Sequence, residues 1–254
     1  MYVACSTLCF GRHSLEEALR TISELRFSKV DVGIYEHGRH LKPSEVAADV
    51  PAAAARLRYG PGLAPAAFSV SFDAPSEEEY QKQFLAICRL ARQVAVSLVN
   101  VEPSPLEVPL EHELKRLARL VAVSEAEGIQ VTVPTLIGTH TQTPEGAMTL
   151  CEKVRGLGLT LDPSHYTVGA MAGKCYDNVF AFVKHVHLRD TGRGPNQFQV
   201  RIGQGEIEYG RVVAQLERFG YKRALTVAIR DDIESPFDTE VEVRKLKLLL
   251  ESLL

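Results

Sequence analysis

The chain has 254 residues, of which 45% are hydrophobic and 24% are charged, and its formal net charge is −3. This length can bury a full core and lies within the range of an undivided α/β barrel, so we expect one domain over residues 1–254. The slight acidic excess disfavours nucleic-acid binding, which needs a basic surface to neutralise phosphates.

Short apolar segments alternate with amphipathic segments along the whole chain. The apolar or β-branched segments predict eight strands, at 2–6, 29–35, 66–72, 97–102, 129–135, 159–163, 184–188 and 224–229. The amphipathic segments predict helices at 14–26, 43–58, 77–94, 109–127, 143–156, 176–182, 209–219 and 236–253. Ser14 with Glu17 has the spacing of a capping box, and Thr143 precedes Pro144 at another helix start.

Eight alternating β and α units favour a closed (β/α)8 TIM barrel. A doubly wound parallel sheet is the alternative, and the lack of a Gly-x-Gly-x-x-Gly motif after the first strand weakens it. In a barrel, the chemistry lies at the C-terminal ends of the strands. Polar residues at those ends are therefore the candidates for a functional site.

The cysteines and the termini bear on where the protein works. The five cysteines are widely scattered and form no Cys-x-x-Cys pair, so we expect reduced, mostly buried thiols in a cytoplasmic protein. The N-terminus lacks the basic and apolar regions of a signal peptide, and no apolar stretch approaches the ~18 residues of a membrane span. We expect neither export nor membrane insertion. Assembly into a homo-oligomer stays open.

The ends of the sixth and seventh predicted strands carry metal-capable side chains. Asp162 ends the sixth strand and His165 follows three residues later, and both types of side chain bind metals or transfer protons. The alternative is that Asp162 caps the turn and His165 is a solvated loop residue. His185 and His187 alternate on one face of the seventh strand. If that face is the lumen, His187 lies nearer the mouth, although a strand histidine is usually a hydrogen-bonded core residue.

The loop after the seventh strand offers donors to an anion. Arg193 and Arg201 can bind an anionic or hydroxyl group. Gly203 and Gly205 allow close backbone approach, so their N–H groups are candidates for an anion site.

The alternative for the arginines of this region is ordinary ion pairing. Arg189 then pairs with Asp190 or another surface acid, and Arg201 pairs with Glu206 or Glu208. Exposed pairs of this kind contribute little to stability.

Three segments occur in a fixed order: Leu-Asp-Pro-Ser-His at 161–165, His-Val-His-Leu-Arg-Asp at 185–190 and Ile-Gly-Gln-Gly-Glu-Ile-Glu-Tyr at 202–209. Their order and spacing resemble the xylose isomerase-like superfamily of sugar isomerases and epimerases, which also contains the apurinic endonucleases. The resemblance is strongest over about 158–229. It implies a TIM barrel that binds a small polyhydroxylated ligand, with an anionic group as an option, at its mouth.

The resemblance also implies a metal position, which this chain matches only in part. Sugar isomerases and epimerases of the family hold a divalent metal with a glutamate after strand five, an aspartate after strand six, a histidine or glutamine after strand seven and a glutamate on strand eight. Asp162 and His187 match the second and third ligands, but Pro134 and Ala228 stand in place of the two glutamates. We therefore expect at most a weak site for manganese, magnesium or zinc at Asp162 and His187.

The same resemblance assigns the remaining candidates. His165 matches a substrate-side histidine and Arg193 stands where several epimerases have an arginine, so both are catalytic candidates. The substrate-binding candidates are Arg201, Gln199, Glu102 and His140. Glu102, His140 and Asp231 are also candidate substitute metal ligands, although each is more typical of a solvated loop residue.

Three functions compete. The first is a sugar or sugar-phosphate isomerase or epimerase with a degenerate metal site, and the second is a non-catalytic barrel that binds such a ligand or serves in an assembly. The third, an apurinic endonuclease, is disfavoured because Gln197 and Gln199 stand where its zinc site needs an Asp-x-His. The missing glutamates favour the second function, whereas retention of Asp162, His165 and His187 favours the first.

Overall fold

Eight parallel strands close into a barrel in the computed structural model, which describes residues 1–58, 62–168, 171–194, 196–231 and 237–254. The strands are β1 Tyr2–Ser6, β2 Lys29–Tyr35, β3 Ala64–Ser71, β4 Leu98–Val101, β5 Gln130–Pro134, β6 Gly158–Leu161, β7 Val183–Leu188 and β8 Ala224–Val227. β8 pairs with β1, with Tyr2 opposite Ala224. The predicted barrel is confirmed, and the doubly wound alternative is wrong because the sheet closes on itself.

Helices pack outside the barrel and bury their apolar faces against the strands. They are α1 Leu15–Glu24, α2 Pro43–Ala48, α3 Val50–Arg58, α4 Glu77–Gln93, α5 Leu110–Ala126, α6 Pro144–Lys153, α7 Ser164–Thr167, α8 Tyr209–Arg218 and α9 Thr239–Glu251, with 3-10 helices at Thr7–Phe10 and Asp177–Phe182. The capping box of Ser14 and Glu17 is present, and Thr143 caps α6 through the N–H of Gly146.

Two predicted helices differ from those observed. The helix predicted over 43–58 is two helices, because Asp49 has φ −152° and ψ 88° and Pro51 has no N–H with which to continue the hydrogen bonds of the first helix. Asp49 Oδ1 instead accepts a hydrogen bond from the Ala52 N–H at 2.9 Å. The segment predicted over 176–182 is the short 3-10 helix. The last predicted helix begins at residue 236, which lies outside the described residues.

Hydrogen bonds inside the barrel identify the residues that face its lumen. Thr160 Oγ1 donates to Thr132 Oγ1 at 2.8 Å, and Thr226 Oγ1 lies 3.4 Å from His185 Nε2. Because strand residues alternate between faces, the residues two positions onward also face the lumen, nearer the mouth. They are Pro134, Asp162, His187 and Ala228. The same alternation assigns Pro134 and Ala228 to the lumen face.

The cysteines and the helix lengths give two further observations. All five cysteines carry free thiols, and four are buried, with Cys175 exposed. Within the described part of the chain, no helix is both long enough and apolar enough to cross a membrane.

Candidate functional site at the barrel mouth

A buried ion pair, here called the mouth pair, joins Asp162 and Arg189. Arg189 Nη2 donates to Asp162 Oδ2 at 2.6 Å, and both residues are at least 90% buried. Ser164 donates to the other oxygen, Oδ1, through its hydroxyl and its N–H. Burial raises the pKa of Asp162, but the Arg189 charge, together with His165, His187 and the Ser164 hydrogen bond, holds that pKa below its ordinary value. Asp162 is therefore an ionised carboxylate whose charge is already balanced.

The location of Arg189 corrects the expectation that it forms a surface pair. Arg189 follows β7, faces the lumen, and lies with its guanidinium carbon 5.0 Å from the centroid of the Phe198 ring. Its Nε is buried and has no hydrogen-bond partner among the described residues. Asp190, the expected partner, accepts hydrogen bonds from backbone N–H groups instead. Adjacent strand residues point to opposite faces, so Arg189 and Asp190 face different surroundings.

His165 lies beside the mouth pair. Its Nε2 is 3.8 Å from Asp162 Oδ2, and its ring centroid is 4.6 Å from that of Phe198. Nδ1 accepts a hydrogen bond from the Ile137 N–H at 3.3 Å, so Nε2 carries the hydrogen of the neutral ring. Burial lowers the pKa of His165 to about 4, although Asp162 pulls it the other way. At neutral pH, His165 is thus an uncharged donor.

A second buried carboxylate, Asp31 on β2, binds both histidines of β7. His185 Nε2 and His187 Nε2 lie 2.8 and 2.7 Å from Asp31 Oδ2. Burial raises the pKa of Asp31, but the two histidine hydrogen bonds hold it well below its ordinary value. Asp31, His185 and His187, here called the lumen cluster, form a group able to hold a metal ion.

The backbone N–H groups of the loop after β7 are already used by the protein. Asp190 Oδ2 accepts from Gly203 N at 2.7 Å and from Gly205 N at 3.1 Å. The expectation that these N–H groups await an external anion is therefore wrong, because an internal carboxylate occupies that place. A Cβ on Gly205 would lie 2.1 Å from Asp190 Oδ1, which explains the glycine there. Position 195 in this loop lies outside the described residues.

The two arginines predicted to act in this loop, Arg193 in catalysis and Arg201 in substrate binding, are both exposed. Arg193 Nη2 pairs with Glu206 at 3.0 Å, with 66% of the arginine side chain exposed. Arg193 thus pairs with Glu206, which was one of the two acids expected to pair with Arg201. Arg201 is exposed, and its side chain has no hydrogen bond or ion pair to any other described residue.

The other candidate ligands mostly hold loops together. His140 Nε2 donates to the Val108 carbonyl at 2.8 Å. Gln199 exchanges two hydrogen bonds with the Arg230 backbone, at 2.8 and 2.7 Å. Asp231 accepts from Gly11 N and Arg12 N, at 3.1 and 3.0 Å. Glu102 Oε2 accepts from the Ser71 hydroxyl at 3.1 Å, and its side chain reaches solvent at the mouth.

The prediction of the site from sequence missed Asp31. Its signal was a carboxylate inside the apolar run Val30, Val32 and Ile34 of a buried strand. A charge at such a position is almost never buried without a partner. That partner lies more than 150 residues away in β7, and only the closure of the barrel brings the two strands' lumen faces together.

The comparison with protein families decides the membership of the chain. The model of the xylose isomerase-like TIM barrel family matches residues 49–249. The chain belongs to this family. An uncharacterized protein of Methanocaldococcus jannaschii is 25% identical over 137 residues, which is 50% of this chain and 46% of that protein, so the match spans about half the length of that relative.

Solved structures of the xylose isomerase-like fold superimpose on the whole chain. D-allulose 3-epimerase from Methylomonas sp. has a TM-score of 0.75 and 13% identity, covering 100% of this chain and 98% of that chain. A xylose isomerase-like TIM barrel protein from Mycobacterium smegmatis, in complex with magnesium, has a TM-score of 0.74 and 16% identity, covering 100% and 97%. These likenesses show the shared fold.

The residues at the family's metal position do not fit a divalent ion. Asp162 Oδ2 is bound by Arg189, and its Oδ1 is bound by Ser164. His187 directs Nε2 to Asp31. Pro134 and Ala228 face the lumen without ligand atoms in their side chains. A guanidinium therefore supplies the positive charge next to Asp162.

Proposed function

We propose that this chain binds a small polyhydroxylated ligand, a sugar or sugar phosphate, at the barrel mouth and acts on it as an isomerase or epimerase. The observation that carries the proposal is the convergence of Asp162, His165 and Arg189 at the mouth of a polar lumen. Five further small polar side chains are buried on the inner strands. They are Ser69, Asn100, Thr132, Thr160 and Thr226.

This lining suits a ligand rich in hydroxyl groups. A sugar offers several donors and acceptors, and hydroxyl and amide side chains can match both. His165 Nε2–H can donate to a carbonyl or hydroxyl oxygen of the ligand, and Arg189 places a fixed positive charge beside it. Phe198, which flanks both residues, provides an apolar wall. The structural likeness to D-allulose 3-epimerase supports the same ligand class.

A second candidate function, binding without turnover, is favoured by Pro134 and Ala228. Isomerisation and epimerisation move a proton at a carbon next to a carbonyl, and this needs a base within reach of that carbon. The two glutamates that relay protons in the family are replaced by side chains that cannot accept a proton. In this version Asp162, His165 and Arg189 recognise the ligand and perform no chemistry.

Deuterium exchange separates the two functions. The protein is incubated in D2O with a panel of aldoses, ketoses and their phosphates, and exchange at the carbon next to the carbonyl is followed by NMR, with binding measured by calorimetry. Exchange supports the isomerase or epimerase, and binding without exchange supports the second function. If no sugar of the panel binds, both are contradicted. His165→Gln is expected to abolish exchange while the protein stays folded.

The anionic version of the ligand is tested at Arg193. We expect a sugar phosphate to bind more tightly than its neutral parent, because Arg193 lies at the rim with its charge only partly balanced by the exposed Glu206. Arg193→Ala should remove that preference and leave the fold intact. Equal affinity for the charged and neutral sugars would contradict the anion contact and leave a neutral sugar pocket.

A further inference from the structure

The lumen cluster directs three ligand-capable atoms to one point. His185 Nε2 and His187 Nε2 both approach Oδ2 of Asp31, and the three atoms lie within 4.8 Å of one another. The Ser69 hydroxyl donates to the same oxygen at 3.1 Å. The other oxygen, Oδ1, is buried and has no hydrogen-bond partner among the described residues. Buried carboxylate oxygens normally accept a hydrogen bond or bind a cation, so the state of Oδ1 indicates that a further partner of Asp31 is missing.

No permanently charged cation of the described part of the chain pairs with the cluster. Asp31 is fully buried, and a buried carboxylate without a fixed positive charge is costly. Arg189 supplies such a charge for Asp162, whereas the Asp31 side chain hydrogen-bonds, among the described residues, only to two imidazoles and a hydroxyl. A divalent cation at this point would balance the charge of Asp31.

We propose that Asp31, His185 and His187 bind a divalent transition-metal ion of the zinc class inside the lumen, deeper than the family's metal position. Two imidazoles and one carboxylate favour zinc over magnesium and manganese, which prefer oxygen ligands. Zinc lies about 2.0–2.2 Å from each such ligand atom. Two atoms that bind the same ion lie farther apart than the present 2.7 and 2.8 Å between the histidine Nε2 atoms and Asp31 Oδ2, so these separations must widen by roughly half an ångström. Each neutral histidine then keeps its one hydrogen on Nδ1 and binds the ion through Nε2.

The position of the cluster allows entry from the mouth. The His187 side chain is 13% exposed, whereas His185 and Asp31 lie deeper, at 2% and 0%. The Thr226 hydroxyl, 3.4 Å from His185 Nε2, is close enough to contact a fourth ligand such as water. Three protein ligands with an open fourth position are the arrangement of catalytic zinc sites. The ion would then lie below the proposed sugar, although its binding does not depend on that function.

Zinc binding tests the proposal directly. Protein stripped with a chelator is titrated with zinc by calorimetry, and bound metal is counted after gel filtration. We expect one ion per chain in the wild type, and a dissociation constant raised by at least about 100-fold in Asp31→Asn and in His187→Gln. Cobalt provides a second readout, because its visible absorption reports loss of a ligand.

The double variant Asp162→Asn/Arg189→Met is the matched control. It removes both charges of the mouth pair and leaves the lumen cluster intact, so it should bind zinc as tightly as the wild type. Circular dichroism checks folding, and His187→Gln, at the more exposed ligand, decides the outcome if Asp31→Asn does not fold. The proposal is overturned if the wild type binds no zinc, if either folded single variant binds it normally, or if the control loses it.

Discussion

The two buried aspartates of the barrel interior differ in what balances their charge. Asp162 has a guanidinium at 2.6 Å, whereas Asp31 has two imidazoles at 2.7 and 2.8 Å and one oxygen that no described residue hydrogen-bonds. Arginine is charged at every physiological pH, but imidazole is not. The mouth pair is therefore complete within the protein, while the lumen cluster retains the capacity to bind a cation.

The same difference bears on the residues that stand at the family's metal position. A divalent ion beside Asp162 would be repelled by Arg189, and its two glutamate ligands are Pro134 and Ala228 here. The small side chains of Pro134 and Ala228 and the long cationic side chain of Arg189 are consistent with a mouth that binds no divalent ion. With Pro134 and Ala228 at these positions, Asp162 is left with one negative charge, which the Arg189 guanidinium neutralises.

The largest expected effect comes from breaking the mouth pair. Arg189→Met leaves Asp162 buried without a counter-charge and should lower the free energy of unfolding by about 3–5 kcal/mol. Arg193→Met, at the exposed pair with Glu206, is the control and should cost about 1 kcal/mol or less. Urea denaturation measures both. Equal losses in the two variants would show that the mouth pair is no stronger than a surface contact.

A pH-dependent effect of up to about 3 kcal/mol is expected from His165, the neighbour of the mouth pair. Its pKa is about 4 in the folded protein and roughly 6.5 in the unfolded chain. Between these values the unfolded chain binds more protons, so this contribution is complete above pH ~6.5 and is lost as the pH falls towards 4. His165→Gln should flatten the stability profile in that window. An unchanged slope would contradict the buried neutral imidazole.

A smaller loss is expected when the lumen cluster is altered in metal-free protein. Asp31→Asn removes a charge but leaves no opposite fixed charge behind, so we expect a loss of about 1–3 kcal/mol, from unmatched hydrogen bonds. Asp162→Asn, in contrast, strands the buried Arg189 and should cost about 3–5 kcal/mol. Measuring both with chelator present sharpens the comparison. A larger loss of unfolding free energy for Asp31→Asn than for Asp162→Asn would contradict this difference between the two aspartates.

The smallest expected effect is that of manganese. Because both oxygens of Asp162 are already bound, by Arg189 and by Ser164, added manganese should raise the melting temperature by less than about 1 °C, since stabilisation grows with ligand concentration over the dissociation constant. Thermal denaturation with and without the ion measures this. A clear, saturable rise that disappears in Asp162→Asn would show that the family's metal position still works.

The sequence predicted the barrel because strand and helix periodicity are local properties, and its eight units required no long-range information. It also placed Asp162, His165 and His187 at strand ends, and it found Pro134 and Ala228 in the positions of the glutamates. The partners of these residues could not be predicted in the same way. Arg189 was assigned to the surface because its neighbour Asp190 is acidic, although alternation along β7 turns the two side chains apart.

Asp31 illustrates the same limit from the other direction. Its hydrogen bonds to β7 depend on how β2 and β7 face each other across the lumen, which no short motif records. The prediction of an anion site at the loop glycines was wrong for a related reason. Gly203 and Gly205 have the composition of an anion site, but whether the anion is a ligand or Asp190 is decided by tertiary contacts.

The comparison between the two aspartates is tested most directly by anomalous diffraction at the zinc edge, from crystals of zinc-loaded protein. We predict one anomalous peak bounded by Asp31, His185 and His187, with the Arg189 guanidinium still bound to Asp162. A peak beside Asp162 with Arg189 displaced, or no peak at Asp31, would contradict the assignment of the two charges.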